Sequence, residues 1–212
     1  MKKFSENDSK LLEEIMLHRR DVRGNRFLDR AIDPLSLEKI LFAAVNAPSV
    51  GFSQPWEFVV ITDQARKDAI KNNFDQSQAS EKQLFSGQQQ TQYSQLKLEG
   101  IHEAPVNIAV FYTPSKDPVL GQSCMQEVGP YSVVCAVQNM WLMARALNIG
   151  LGWVSILNPQ NVKEILSAPK ENQLIAYLCL GYVDYFYDTP ELERKQWNKR
   201  KSLESLIYSE SY

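Results

Sequence analysis

The chain has 212 residues, of which 44% are hydrophobic and 23% are charged, and its formal net charge is −2. This length and composition predict one folded domain over residues 1–212 and exclude a disordered or fibrous chain. The small net charge creates no general field that would attract a polyanion. We therefore expect no nucleic-acid partner.

Cysteine usage and the first residues bear on the cellular compartment. Three cysteines occur without a Cys-x-x-Cys pair: Cys124, Cys135 and Cys179. They cannot all pair within the chain, so a disulfide framework is not expected and a cytoplasmic location fits. Residues 1–8 lack the apolar stretch of a secretory signal. The longest apolar stretch, 131–149, contains polar residues and is interpreted as a buried helix, so no membrane association is expected.

Two amphipathic helices are predicted before residue 50. Apolar residues at helical spacing indicate a helix over 8–20, with Asp8 or Ser9 as its N-cap. Asp33, followed by a proline, is typical of a cap and first turn, and predicts a second helix that continues to about Ala47. A further proline ends that helix and begins a loop.

The rest of the chain alternates strands with helical stretches. Runs rich in β-forming residues predict four strands, at 57–62, 107–113, 151–156 and 174–183. A Gln- and Ser-rich region, 74–95, predicts exposed helices and turns that form either a mobile lid or an ordinary solvated insertion. A helix over 131–147 is apolar on nearly every side and needs cover all round, for example at a dimer interface. This order indicates an α+β architecture with helices packed on a central sheet.

Several common catalytic chemistries are excluded by what the chain lacks. His18 and His102 show neither metal-binding nor triad-like spacing, which argues against a zinc hydrolase and a serine triad. The Gly150-Leu151-Gly152 run precedes a strand instead of joining a strand to a helix, so it matches neither a dinucleotide fingerprint nor a P-loop.

An arginine-rich segment follows the first predicted helix. Arg19, Arg20 and Arg23 place three guanidinium groups within five residues, and planar guanidinium groups suit a phosphate monoester. Arg200 would complete such a site if the two ends of the chain meet. A solvated surface patch is the alternative interpretation.

Two loops could position polar groups around a ligand. The segment 47–56 combines prolines, a glycine and hydroxyl donors before a strand. The segment 150–156 carries glycines that permit close backbone approach to a flat ligand and ends near Ser155. Alternatively, Gly150 is a helix C-cap and Ser155 an ordinary strand residue.

Taken together, these segments resemble the nitroreductase-like flavoprotein family, and most closely its BluB branch, the 5,6-dimethylbenzimidazole synthases. The acid at Asp21 and the apolar Phe52 are typical of that branch. Gly129-Pro130 departs from it, because the branch commonly has an acid just before its Tyr-Ser pair. The similar segments are 19–23, 47–56, 96–101, 104–106, 131–139, 150–156 and 176–181.

The resemblance implies a homodimer whose central sheet is mixed but mainly antiparallel, together with an FMN site. The residues implied to bind FMN are Arg19, Arg20, Asp21, Val22, Arg23, Ser49, Gly152, Val154, Ser155 and Arg200. The arginines would hold the phosphate and ribityl chain, whereas Ser49 and the 152–155 backbone would contact the flavin. No metal is implied.

The branch also implies a reaction in which reduced FMN is consumed by molecular oxygen, giving 5,6-dimethylbenzimidazole, the lower ligand of cobalamin, and erythrose 4-phosphate. Asp21 would manage a proton and Ser155 would orient a reacting group by hydrogen bonding. A separate flavin reductase would supply the reduced flavin. The alternatives are an NAD(P)H-dependent nitroreductase or flavin reductase, which recycles FMN, and a noncatalytic flavin-storage protein.

Overall fold

The computed structural model describes residues 1–212 and contains seven α-helices and four strands. The helices are α1 Glu6–His18, α2 Pro34–Val45, α3 Gln64–Lys82, α4 Gly87–Ser94, α5 Val128–Ala146, α6 Pro159–Ile165 and α7 Glu191–Arg194. The strands are β1 Trp56–Ile61, β2 Val106–Tyr112, β3 Ile149–Val154 and β4 Gln173–Tyr182. None of the helices combines the length and apolarity needed to cross a membrane.

The four strands form one sheet in the order β1-β2-β4-β3, and all neighbouring strands run antiparallel. The only parallel pairing is an isolated bridge between Asp21 and Leu151, at the outer edge of β3. The predicted α+β architecture with a mainly antiparallel central sheet is therefore confirmed. The bridge attaches the arginine-rich segment directly to the sheet.

Alternating side chains on the two central strands build a core on each face of the sheet. On β2, Ile108 and Val110 pack with α2 and α5, whereas Ala109 and Phe111 pack with α3 and α6 on the opposite face. The sheet is thus the middle of three layers, with helices on both sides.

Helix α1 begins earlier than predicted. Ser5 is its N-cap, and the Ser5 and Asp8 side chains satisfy each other's backbone N–H groups in a capping box. The prediction of Asp8 or Ser9 as the cap is wrong, because Asp8 is the third helical residue of that box. No residue of α1 is buried, and four of its apolar side chains are exposed: Leu11, Leu12, Met16 and Leu17.

The boundary between α5 and β3 also differs from the prediction. Asn148 adopts a left-handed conformation, so the chain turns from α5 directly into a strand that begins at Ile149. Gly150 is therefore a strand residue and not a helix C-cap, and Ser155 lies just beyond the end of β3. One face of α5 packs on the sheet, while Tyr131 and Val134 on the other face are exposed.

The polar region between β1 and β2 is helical, as predicted, and consists mainly of α3 and α4. It is not simply a solvated insertion, because Phe74 and Tyr93 are buried. Phe85 stacks on Tyr93 at 5.0 Å between ring centroids and meets Trp197 edge-on at 5.4 Å. These aromatic contacts connect the insertion to the C-terminal part of the chain.

Candidate active site

A cavity of about 240 Å³ lies between the two ends of the chain. One wall is formed by the end of α1 and the arginine-rich segment, the opposite wall by residues around α7, and the third by the residues after α4. Its lining residues are Met16, Leu17, Arg19, Arg20, Asp21, Arg23, Leu96, Lys97, Leu98, Tyr187, Pro190, Glu191, Leu192 and Arg200. The structure thus brings Arg200 to the predicted arginine cluster.

Asp21 is held in this cavity through both carboxylate oxygens. Oδ1 accepts a hydrogen bond from the backbone N–H of Trp153 at 2.9 Å, and Oδ2 forms an ion pair with the Arg23 guanidinium. Arg23 in turn donates to the Trp153 carbonyl at 3.0 Å. The arrangement fixes the carboxylate against the last residues of β3.

The environment of Asp21 favours its protonated form more than water does. Its side chain is 34% exposed, but that surface opens into the cavity, where protein surrounds the carboxylate. Burial raises the pKa of Asp21, although the Arg23 guanidinium and the Trp153 N–H oppose the rise and Glu191 adds slightly to it. A carboxylate with a raised pKa is a stronger proton acceptor than an ordinary aspartate.

The glycine at position 152 allows the arginine-rich segment to approach the sheet. A Cβ at this position would lie 2.0 Å from the Val22 carbonyl oxygen, far inside contact distance. Val22 is buried and its N–H donates to the Leu151 carbonyl at 3.1 Å. The predicted close backbone approach at Gly152 therefore exists, but the approaching group is the chain's own segment.

Of the four arginines that line the cavity, two bind other groups of the chain and two have unpaired guanidinium groups. Arg23 is engaged with Asp21, and Arg20 donates to four backbone carbonyls. The guanidinium groups of Arg19 and Arg200 have neither a hydrogen bond nor an ion pair within the chain. Their N–H donors are therefore available to an anion in the cavity.

Trp141 on α5 contacts the arginine-rich segment, and the sequence pattern does not predict this role. Its indole Nε1 donates to the Arg20 carbonyl at 3.1 Å, and the Arg19 guanidinium lies 4.7 Å from its ring centroid. The ring orients Arg19 by a cation–π contact and leaves its N–H groups unpaired.

Lys97 is a second residue of the cavity wall that sequence reasoning missed. Its ammonium forms ion pairs with Glu99 at 2.6 Å and with Glu103 at 2.7 Å. Burial alone would lower the pKa of Lys97, but the ion pairs outweigh that effect and raise it. Because Glu99 also accepts from the Ile101 N–H at 2.7 Å, the wall after α4 is rigidly connected to the core.

Five predicted site residues do not line this cavity: Val22 and Gly152, which are buried against each other, and Val154, Ser155 and Ser49. Ser155 is exposed at the end of β3, where it and the buried Val154 line a separate, mainly apolar cavity of about 220 Å³. The Ser49 hydroxyl accepts from the Gln54 N–H at 3.0 Å, in a loop that contacts Ser132 near the start of α5. Trp141 is nine residues further along α5, about 13 Å away.

The glycine that departs from the BluB pattern is closely packed against two side chains. Gly129 is buried, and a Cβ there would lie 2.7 Å from the Tyr112 ring and 2.8 Å from the Gln122 amide. An acidic side chain at this position would require the Tyr112 and Gln122 side chains to move.

Comparison with known proteins shows a match to the nitroreductase family model over residues 16–182. The chain is 43% identical over 192 residues to the 5,6-dimethylbenzimidazole synthase of Rhodospirillum rubrum, covering 90% of each chain. It is 34% identical over 200 residues to the enzyme of the same name from Rhodobacter capsulatus, covering 92% of this chain and 95% of that one.

Solved structures show the same fold at lower identity. The chain is similar to an iodotyrosine deiodinase bound to FMN and 3-iodo-L-tyrosine, with a TM-score of 0.74, 21% identity, and 95% and 99% of the two chains covered. It is also similar to a BluB-like flavoprotein from Clostridium difficile, with a TM-score of 0.72, 21% identity, and 94% and 99% covered. The chain therefore belongs to the nitroreductase family.

Proposed function

We propose that this chain is a 5,6-dimethylbenzimidazole synthase that acts as a single FMN-binding domain and uses molecular oxygen to fragment reduced FMN. The relatives from Rhodospirillum rubrum and Rhodobacter capsulatus, which carry that name and align over nearly the whole chain, support the assignment. The observation that carries it is the position of Asp21, which lies in the same cavity as two unpaired arginines.

The cavity suits one part of FMN, its phosphate and sugar chain. Arg19 and Arg200 present free planar donors of the kind that bind a phosphate monoester, and Asp21 lines the wall beside them. Its volume of about 240 Å³ is below the roughly 300–1,000 Å³ of pockets that enclose a whole ligand of this size. We propose that the flavin ring lies outside it, toward the neighbouring cavity that Val154 and Ser155 line.

In this assignment Asp21 accepts a proton next to the sugar chain. Each carboxylate oxygen has two acceptor sites, so Asp21 can take a proton while Trp153 and Arg23 continue to hold it. Burial raises the pKa of Asp21 and so strengthens it as a base. When bound, the reduced flavin supplies the electrons for oxygen and the carbon atoms of the product.

The test is single-turnover product analysis with an isosteric variant. Wild-type protein mixed anaerobically with reduced FMN and then exposed to air should release 5,6-dimethylbenzimidazole, identified by mass spectrometry. D21N should bind FMN within about threefold of wild type, because no phosphate contact is removed, and should release no product. E191Q removes another carboxyl group of the same cavity and should retain product formation. Product from D21N at the wild-type level would refute the role of Asp21.

The same experiment distinguishes the proposed synthase from the main alternative enzyme. An NAD(P)H-dependent nitroreductase or flavin reductase would return intact, oxidised FMN and oxidise NADPH by itself. Under our proposal the chain needs reduced FMN from a separate flavin reductase, so NADPH alone should give neither oxidation nor product. Full recovery of FMN after exposure to air would contradict the proposal.

We further propose that Ser155 orients the flavin or an oxygen-derived group by hydrogen bonding. Ser155 lies two residues from Trp153, whose N–H holds Asp21, so the β3 terminus connects the two proposed catalytic side chains. S155A should slow product formation without weakening FMN binding, because no phosphate contact is removed. Unchanged single-turnover rates in S155A would rule out this role.

We also propose that the chain acts as a homodimer in the cytoplasm. We propose that the exposed apolar residues of α1 and the exposed face of α5 contact a second copy, and that this copy contributes its Ser49 loop to the flavin site. The three cysteines are all free, which suits a reducing compartment. Light scattering should give a mass close to twice 24.3 kDa, and a monomer with full activity would contradict the dimer.

A further inference from the structure

The C-terminal wall of the cavity, residues 185–200, is attached to the rest of the protein through side chains. Residues 185–200 contain only the short helix α7, and their backbone forms no hydrogen bond with the backbone of any residue outside the segment. Side-chain contacts hold them instead: the Arg26 guanidinium lies 3.9 Å from the Tyr185 ring centroid and 4.5 Å from that of Tyr187, and it donates a hydrogen bond to the Tyr187 hydroxyl. The position of Arg200 therefore depends on a few side-chain contacts.

Apart from the adjacent Asp184, whose carboxylate accepts from the Tyr185 N–H at 2.8 Å, only Arg20 forms hydrogen bonds from outside to the backbone of this segment. Its Nε donates to the Tyr187 carbonyl at 2.8 Å, and Nη2 donates to the Asp188 carbonyl. Its Nη1 donates to the carbonyls of Leu17 at 2.7 Å and Arg19 at 2.6 Å. One guanidinium therefore joins both walls of the cavity.

The environment of this guanidinium argues against direct contact with a phosphate. Arg20 is only 8% exposed, and four of its donor contacts go to backbone carbonyls. A guanidinium has five N–H donors, so one remains. Arg19 and Arg200 keep all of theirs.

We infer that Arg20 is a positioning residue that fixes the segment carrying Arg200 opposite Arg19, and is not itself a phosphate ligand. This inference rests on the proposed function, in which the phosphate of FMN enters the cavity. Because the planar fork of Arg20 reaches carbonyls on both sides, an ammonium group at this position would not reproduce the connection.

A double-mutant cycle tests the inference. FMN dissociation constants are measured by quenching of flavin fluorescence for wild type, R20M, R200M and R20M/R200M. We expect R20M to weaken binding by about tenfold or more in the wild-type background, but by less than about twofold when Arg200 is already absent, because the two changes share one effect. Additive losses would identify Arg20 as an independent phosphate ligand and overturn the inference.

Two further variants distinguish a positioning role of Arg20 from an effect of its positive charge. R20K keeps the positive charge but loses the fork, so it should bind FMN as weakly as R20M; wild-type affinity in R20K would overturn the inference. R194M removes an arginine that stacks on Tyr187 in the same segment without a hydrogen bond to it. This matched control should leave FMN affinity within about twofold of wild type.

Hydrogen exchange measured without flavin keeps this inference distinct from the proposed function. R20M should speed amide exchange in residues 185–200 while exchange in β2 and β4 stays at the wild-type rate. R19M, which removes a free guanidinium, should leave exchange in 185–200 unchanged. If wild type fails to bind FMN, the proposed function fails but this measurement still decides the role of Arg20; unchanged exchange in R20M would overturn that role.

Discussion

Replacing Gly152 with alanine tests how the site depends on close packing between β3 and the arginine-rich segment. The new Cβ would lie 2.0 Å from the Val22 carbonyl oxygen, whereas C···O contacts normally begin near ~3.3 Å. The segment must therefore move by roughly 1 Å, since backbone cannot rotate away as a side chain can. That movement stretches the bond from the Val22 N–H to Leu151 and the bond from the Trp153 N–H to Asp21.

The expected loss of stability combines steric strain with weakened hydrogen bonds. Overpacking costs about 1–3 kcal/mol, and each hydrogen bond contributes about 1 kcal/mol, so G152A should lose about 3 kcal/mol of unfolding free energy. For a chain of this length that corresponds to a fall in Tm of roughly 6–12 °C. Differential scanning fluorimetry measures the shift directly.

Product formation should fall further than stability alone explains, because Asp21 moves with the segment. A displacement of about 1 Å can reduce a rate roughly 100-fold, and single-turnover product analysis on folded G152A measures this effect. G87A is the matched control, since Gly87 has no atom within 4 Å of an added Cβ; it carries only the cost of its positive φ. Wild-type Tm and product yield in G152A would refute the reasoning.

The remaining predictions concern ligand selectivity and pH. R19A and R200A should each weaken FMN binding roughly 10- to 150-fold, the value of a charge-assisted hydrogen bond of about 1.5–3 kcal/mol, and leave riboflavin affinity unchanged, as fluorescence titration can show. Equal losses for both ligands would contradict phosphate binding. Asp21 accepts a proton only while it is ionised, so product formation should fall as the pH drops through the pKa of Asp21. Burial raises this pKa, and Glu191 adds to the rise, so the fall should begin at a higher pH than for an ordinary aspartate. E191Q should move this acidic limb only slightly, toward lower pH, because Glu191 is the smallest of the influences on this pKa; a limb that moves to higher pH would contradict the assignment to Asp21.

Local signals in the sequence were sufficient for most of the elements. Asp33 caps α2 as predicted, accepting from the Ser36 N–H, and the predicted β2 and β4 are each displaced by only one residue. The predicted start of α1 is wrong because Asp8 is typical of an N-cap but is here the third helical residue of a capping box that begins at Ser5. Helix α6 was missed although Asn158 and a following proline are typical of a helix start, because its seven residues show too little periodicity.

The candidate site was harder to predict because its organisation depends on contacts between distant residues. The density of arginines indicated an anion site, but which guanidinium groups are free depends on carbonyls more than 160 positions away, as for Arg20 and Tyr187. The glycines of 150–156 predict a close backbone approach, but spacing alone does not identify the Val22 carbonyl as the group that approaches Gly152. Trp141 gave no signal, since an aromatic residue on an apolar helix usually belongs to a core.

The two walls of the cavity differ in how they are attached to the sheet. The family model matches residues 16–182, which include Arg19, Asp21 and the strand that holds the carboxylate. The opposite wall, with Tyr187 and Arg200, lies beyond that match and is attached mainly through side chains. Changes in the second wall can therefore alter which ligand enters without disturbing the sheet or Asp21. A fold that supports several flavin-dependent activities can acquire different specificities in such a segment.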